Sequence, residues 1–461
     1  MKRILLLVLF LTSSFSLAQV TVPESFWAIE FNHPNSPYPT PTNPASTFHT
    51  LRLSDTNTGW GEIEGNNRIK GCNPSDKIDF TYLDKFLNHY VTGNDFDVIY
   101  TMAHTPCFIS SFPTDKTCKH WTGACDPPKD VKCNGKGVAA TGGTDAALIN
   151  FLKVLWPHIM QQPYYQGRHW YFEVWNEPNV GFFWNNGWIN DTYCGGDHTA
   201  TRRIMMRMAA DSRKTILAID PTVKFITPSV SVALREVRKN GWWWDYLGGD
   251  TQKFGGGGKV ADIMGVHSYI GTNPVEAVCC GNGTLVGETL KTMAEFGQSG
   301  KPLWLTEGSC GAYCPVVGDN VAWIGAYYTL LLSQGLAARY VYNSYDNLAP
   351  LWNGTQLTPT GLAVAVMEKD WGYETATFAA GGCTSKVQNS CTGQGKIWTC
   401  NLTEGGSGTP AQVAWYDSQK NTCSYTPGGS GWTDYNDLTG TKTNYSGGAV
   451  TLTNRPILFE K

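Results

Sequence analysis

Two glutamates in this chain each close a short apolar run, and each is followed by a residue that interrupts it. Glu177 ends Trp170-Tyr171-Phe172-Glu173-Val174-Trp175-Asn176 and precedes Pro178; Glu307 ends Leu303-Trp304-Leu305-Thr306 and precedes Gly308. Aromatic and β-branched runs of this kind read as buried strands, so both acids stand at strand mouths. A carboxylate in such a place is poorly solvated and holds a proton more readily, which suits a group that must donate one. Two carboxylates facing each other across a cleft can break an acetal. One protonates the departing oxygen, while the other attacks the anomeric carbon or activates water to do so.

Five more polar residues follow the same rule: Arg52, His104, Asn176, His267 and Tyr269 each sit at or just past the end of a proposed strand. Asn176 is placed to hydrogen-bond a sugar hydroxyl beside the reacting carbon, and Tyr269 to orient Glu307. Arg52 is expected to hold Glu307 ionised, with His104 and His267 lining the floor of the same subsite. Taken singly, such residues are more often capping, surface or hydrogen-bonded structural groups, and Arg52 beside Asp55 could be a plain ion pair. The constellation says more than its members, because one rule places all seven on one face. Period-2 alternation also sets Glu173 on the side of Glu177, pointing it into a packed interior. There it needs Arg52 or another cation, or a bulge that resets the phase.

Aromatic residues add to the pattern. Trp60, Trp184, Trp188 and Tyr342 lie in loops after strands or at strand ends, where flat rings suit the apolar faces of sugars. The loop Gly181-Phe182-Phe183-Trp184 is the candidate platform for a leaving group. With 18 tryptophans in the chain, some must be core. Trp323 and at least one of Trp242 to Trp244 are expected there.

The elements that must position these groups alternate from about 48 to 370. Strand-like runs occur at 50–53, 96–101, 170–175, 223–227, 263–266, 303–306 and 338–342. Amphipathic helices fall at 79–90, 144–160, 200–219, 289–296, 321–332 and 361–369. Asp79 is a plausible N-cap, and Gly335 a plausible helix end. Seven strands are legible, and an eighth is hidden near Trp27 to Glu30 or Gly59 to Ile63. Short apolar strands separated by helices form a parallel sheet covered by helices. At this count a closed (β/α)8 TIM barrel is favoured, whose strand ends converge on one face. From 372 to 461 the chain turns rich in Gly, Thr, Asn and Ser with short alternating runs, which reads as a small antiparallel β-sandwich. Residues 20–30 are candidates to join that domain.

Residues 1–19 have the form of an export signal: Lys2 and Arg3, then Ile4 to Leu11, then Ser16-Leu17-Ala18. The chain carries 35 basic and 38 acidic residues, two of the basic ones in the leader. That balance gives no reason to expect nucleic acid or an anionic lipid surface as partner. No segment after the leader is long enough to span a bilayer. All 14 cysteines follow the leader, an even count that suggests disulfides in an exported protein. Cys310-x3-Cys314 lacks a second pair, so no metal centre is expected. No cofactor is expected either, since the glycine-rich phosphate fingerprint is absent. Asn190, Asn282, Asn353, Asn401 and Asn444 each begin an Asn-x-Ser/Thr triplet. A monomer is favoured, in a secreted or periplasmic location.

On these residues the chain resembles the retaining glycoside hydrolases of clan A, whose fourth barrel strand ends in Asn-Glu-Pro. It is most similar to family 39, which includes β-xylosidases, α-L-iduronidases and bacterial exopolysaccharide hydrolases. The matching stretches are Trp175-Asn176-Glu177-Pro178-Asn179, Thr306-Glu307-Gly308, Val266-His267-Ser268-Tyr269, and Val98-Ile99-Tyr100-Thr101 leading to Thr105-Pro106. The resemblance implies that Glu177 is the general acid/base and Glu307 the nucleophile. It further implies that Asn176 contacts the 2-hydroxyl, Tyr269 bonds the nucleophile, and configuration is retained through a covalent glycosyl-enzyme. Transglycosylation by the same carboxylates, and carbohydrate binding on a barrel that has lost catalysis, are the alternatives. The chain departs from the pattern at Tyr342, followed by Asn343 and Tyr345, where many clan members carry tryptophan. The loop 104–143 is also larger than a minimal barrel needs.

Overall fold

The computed structural model describes residues 19–30, 48–54, 56–65, 78–94, 96–131, 143–184, 200–231, 234–249, 256–269, 274, 283–310, 318–335, 337–342, 350–353, 355–388 and 391–461. The leader to residue 18, Trp188, Asn190, Asn282, Asn343, Tyr345, Asp55 and six of the cysteines lie outside the described residues.

After the short strand β1 (Val20–Thr21) come eight strands of one parallel sheet. They are β2 (Trp27–Glu30), β3 (Thr50–Leu53), β4 (Asp97–Thr101), β5 (Trp170–Glu173), β6 (Lys224–Ile226), β7 (Met264–His267), β8 (Leu303–Gly308) and β9 (Arg339–Tyr342). Their order is β6-β5-β4-β3-β2-β9-β8-β7, and a bridge between Ile226 and Ile263 closes the ring. The fold is a (β/α)8 barrel. Gly265 makes that closure possible, since a Cβ there would stand 2.5 Å from Ser229 Oγ and 2.7 Å from Ile226 Cγ2.

The hidden eighth strand is Trp27–Glu30. All four of its residues are buried, and it pairs with β3 and β9, which is why it reads as continuous hydrophobicity instead of alternation. The other candidate, around Gly59 to Ile63, belongs to the helix Trp60–Gly65. Helices Thr81–Tyr90, Ala146–Met160, Ala200–Leu217, Leu285–Glu295, Asn320–Gln334 and Pro359–Ala365 cover the barrel. Asp79 sits one position outside the N-cap of Thr81–Tyr90 and still accepts the Thr81 N–H at 2.9 Å. Gly335, at φ +58°, ends Asn320–Gln334 in the left-handed conformation that glycine tolerates best.

The C-terminal strands form an antiparallel sheet ordered 377–378, 397–403, 410–416, 457–460, 434–437 and 442–444, beside a small pair 423–425 and 450–452. β1 adds to its edge against Thr377–Phe378, so the start of the described chain is tied to this β-sandwich. Disulfides Cys383–Cys400 and Cys391–Cys423 staple it. It packs on helix Asn320–Gln334, where an added Cβ on Gly325 would meet Leu438 at 2.6 Å. Arg455 Nε also bonds Asp319 at 2.7 Å. Trp323, Trp242 and Trp243 are core, as expected from the sequence. Among the described residues, no helix is long and apolar enough to cross a membrane.

One buried acid in the helical layer carries a pH prediction. Asp145 is fully buried at the start of Ala146–Met160. Burial, reinforced by Asp211 and Asp130 and opposed by Arg207, pushes its carboxyl up to about 8. An unfolded aspartate ionises near 3.9. Between those values the folded state holds a proton that the unfolded chain has released, so stability falls as pH rises from about 4 to about 8. Asp145→Asn is expected to flatten that slope and to raise Tm at pH 8 by a few degrees. Thermal melts at pH 5 and pH 8 measure both.

Candidate active site

The C-terminal ends of the barrel strands gather one guanidinium, one imidazole and four carboxylates. Arg52, from β3, is the hub, and its side chain is 0% exposed. Nη1 donates to Glu30 at 2.6 Å and to Glu307 at 2.7 Å. Nε and Nη2 donate to Glu173 at 3.0 and 2.6 Å, and Nη2 donates also to Asn176 at 2.8 Å. A guanidinium has five N–H groups, and all five are used. Burial alone would favour loss of its charge, but Glu173, Glu30 and Glu307 outweigh it and hold its pKa above the ordinary value.

Glu173 is the inward residue whose charge the alternation makes conspicuous. It is fully buried, and Arg52 neutralises it. Thr101 Oγ1 donates to it at 2.8 Å and Ser229 Oγ at 2.5 Å. The regular strand ends at this residue, which resets the phase. Asn176 then bridges to Ser229, and Glu177 N bonds Ser229 O at 2.9 Å. Glu177 turns through φ +46°, a conformation that is uncommon outside glycine and concentrates at functional sites.

Glu307 is set by a second irregularity. Val266 pairs with Leu305 but His267 with Glu307, so β8 carries one extra residue between the pairs. Bulges re-aim side chains in this way. Glu307 Oε2 faces Arg52, while Oε1 accepts the hydroxyl proton of Tyr269. Burial, and then the negative charge of Glu307, keep the Tyr269 phenol well above its ordinary pKa, so it stays a donor. His267 joins the two acids. Its Nδ1 is 2.8 Å from Glu177 Oε1 and its Nε2 is 3.6 Å from Glu307 Oε2. One oxygen of each carboxylate and a ring nitrogen of His267 all lie within 4.8 Å of one another.

Gly308 does not turn the chain after the acid, because β8 continues through it. Its value is closeness: an added Cβ would stand 2.3 Å from Ser268 Oγ and 3.0 Å from Ser268 O. Ser268 lies between His267 and Tyr269, so the methyl of Gly308→Ala would push both away from Glu307. Overpacking of this kind costs about 1–3 kcal/mol. Thermal melts should show that loss as a lower Tm.

Glu177, Glu307, Asn176, Tyr269, Arg52 and His267 are thus brought together, but several assignments to the sugar change. Arg52 and His267 have no exposed side-chain surface: Arg52 gives its donors to three carboxylates and Asn176, and His267 Nδ1 lies 2.8 Å from Glu177, which is the geometry of groups that position the acids. Trp60 is core, stacked on Phe151 at 5.8 Å. Trp184 packs edge-on against Trp175 at 4.8 Å with no exposed face. Tyr342 stays in the barrel wall beside Tyr340. Among the described residues of the loop after the acid, the exposed ring is Phe182, 47% accessible. Its carbonyl accepts Lys119 N–H at 3.0 Å, from the loop closed by Cys118–Cys125.

His104, at φ +61°, turns toward Glu62, with Nδ1 and Oε1 3.2 Å apart, and its ring lies 3.7 Å from that of His120. It lines a small cavity with Ser54, Thr56, Glu62, Thr101 and Asn176. Sequence reasoning missed Glu30, Glu62 and Ser229. Glu30 obeys the strand-end rule, but its strand was one of two candidates. Glu62 and Ser229 lie outside any rule of spacing.

No protein-family model and no curated protein matches the sequence. Solved structures do match its shape. A family 39 glycoside hydrolase from the gut symbiont Bacteroides cellulosilyticus WH2 aligns at TM-score 0.57 and 12% identity, over 95% of this chain and 82% of that one. A monomeric β-xylosidase from Caulobacter crescentus CB15 aligns at 0.58 and 15% identity, over 97% and 98%. A GH30 endoxylanase from Clostridium papyrosolvens C71 aligns at 0.56 and 11% identity, over 96% and 97%. Across nearly its whole length the chain therefore shares the barrel-and-sandwich fold of glycoside hydrolases of families 39 and 30.

Proposed function

We propose that this protein is an exported retaining glycoside hydrolase acting on O-glycosidic bonds of an oligo- or polysaccharide. The observation that carries the reading is the pairing of Glu177 with Glu307. Their nearest oxygens lie within 4.8 Å, which is compatible with the roughly 5–5.5 Å carboxyl spacing of retaining enzymes. Glu307, with Arg52 on one oxygen and Tyr269 on the other, is the nucleophile. Glu177, bonded to the imidazole of His267, protonates the departing oxygen and then takes a proton from water. When Glu307 forms its covalent bond its charge is lost, and Glu177 becomes the charged member. The pair carries one negative charge throughout.

Asn176 accepts from Arg52 through Oδ1, so its amide N–H groups remain to donate to the 2-hydroxyl. The exposed ring of Phe182 offers a face to the leaving group. The leader 1–19 is removed, leaving a catalytic barrel over 20–371, whose first strand Val20–Thr21 edges the sheet of an accessory sandwich over 372–461. The disulfides support export to an oxidising compartment.

The test is the anomeric form of the first product, followed by NMR on a substrate found in a screen of defined polysaccharides and aryl glycosides. The expected product has the anomeric configuration of the substrate. An inverted product would end the double-displacement reading.

A further inference from the structure

The floor of the barrel, at the opposite strand ends, holds a second group of ligating side chains. His49 enters β3, with its backbone bonded to Trp27 and Asp97. Glu368 lies in the π-helical turn Val366–Asp370 that continues Pro359–Ala365. Glu374 follows on the way into the sandwich. One ligand atom of each lies within 4.8 Å of the other two, and His49 Nε2 is 3.2 Å from Glu374 Oε1. Glu368 is 1% exposed, and its Oε2 has no hydrogen-bond partner among the described residues. A buried carboxylate oxygen without a donor is costly, and a second carboxylate nearby makes it costlier.

We infer that His49, Glu368 and Glu374 form a binding site for one divalent transition-metal ion of the Zn2+ type, joining the barrel floor to the start of the sandwich. A neutral imidazole and two carboxylates balance a double positive charge. Mixed nitrogen and oxygen ligation suits Zn2+ and disfavours Mg2+, which keeps to oxygen. Bonds of about 2.0–2.2 Å in a tetrahedron place ligand atoms roughly 3.3–3.5 Å apart, close to the separation of His49 and Glu374 already present. Both of those side chains are partly open to solvent, which lets the ion enter and leaves room for water as a fourth ligand. A π turn inserts one residue into the helix and so changes the face on which later side chains emerge. Here that turn carries Glu368. The sequence expectation of no metal rested on cysteine spacing, and this group contains no cysteine.

The experiment uses untagged full-length protein freed of metal with a chelator, titrated calorimetrically and melted with ZnCl2 or with MgCl2. The expected result is one equivalent of Zn2+ bound and a Tm about 3 °C or more higher at a hundredfold excess over Kd, with no response to Mg2+. His49→Ala and Glu374→Gln should each weaken binding at least about tenfold. Glu368→Gln should melt higher than the metal-free wild type and lose the response to zinc. Because His49 and Glu374 are partly exposed, their variants carry the test if Glu368→Gln does not fold. Zinc binding left intact in both would place the ion elsewhere, for instance at Glu62, His104 and His120, and would overturn the inference. A wild type that binds no zinc, while Glu368→Gln melts higher, identifies a buried protonated acid instead and overturns it equally.

Discussion

Glu307→Gln is expected to abolish turnover, by about 10^4-fold or more, for every substrate whatever its leaving group. An amide cannot form the glycosyl ester, so no aryl group is released even in a first turnover. Glu177→Gln should behave differently. Proton donation is worth about 10^2–10^4-fold, and a leaving group that departs readily as an anion scarcely needs it. With activated aryl glycosides the first step should then survive, and the glycosyl-enzyme should accumulate because no base activates water. Stopped-flow release of the aryl group and mass spectrometry of the intact protein measure the two halves separately. Equal losses in the first step for both variants would remove the division of roles between the two acids. A burst seen only in Glu177→Gln, with added mass on Glu307, would establish it.

Arg52→Met is expected to have the largest effect on folding. It leaves Glu30, Glu173 and Glu307 buried with no guanidinium among them. Breaking a buried ion pair by removing one partner costs about 3–5 kcal/mol, and here one cation serves three anions. Arg52→Lys should rescue little, since an ammonium offers three donors from one point where the site uses five from a planar fork. Adding Glu30→Gln and Glu173→Gln to Arg52→Met should restore much of the stability without restoring activity, because Glu307 still lacks its cation. Denaturant unfolding of the single, double and triple variants measures the coupling. A single variant as stable as the wild type would show that Arg52 is not the charge centre of the barrel mouth.

Particular residues show why some of this is legible in the sequence. β3 to β9 announce themselves because parallel strands covered on both faces must be almost wholly apolar, and the polar residue that ends each run marks the mouth of the barrel. Glu177, Glu307, Asn176, Tyr269, Arg52 and His267 all follow from that. β2 was half hidden: its four residues resemble any short apolar stretch, and only its pairing with β3 and β9 identifies it. With β2 went Glu30. The tryptophans misled for a related reason. Position after a strand does not say which way a ring points, and Trp60 and Trp184 turn into the core, where their area is worth most.

The sequence by itself determined the class of fold and the strand-end positions of Glu177 and Glu307, because periodicity and strand ends are local properties of a chain. Only the tertiary structure decided how those acids are held. The extra residue in β8 that sets Glu307 against His267, the left-handed turn at Glu177, and the sharing of one guanidinium among three carboxylates all depend on contacts between distant strands. Such contacts arise when the barrel closes, and no spacing along the chain encodes them.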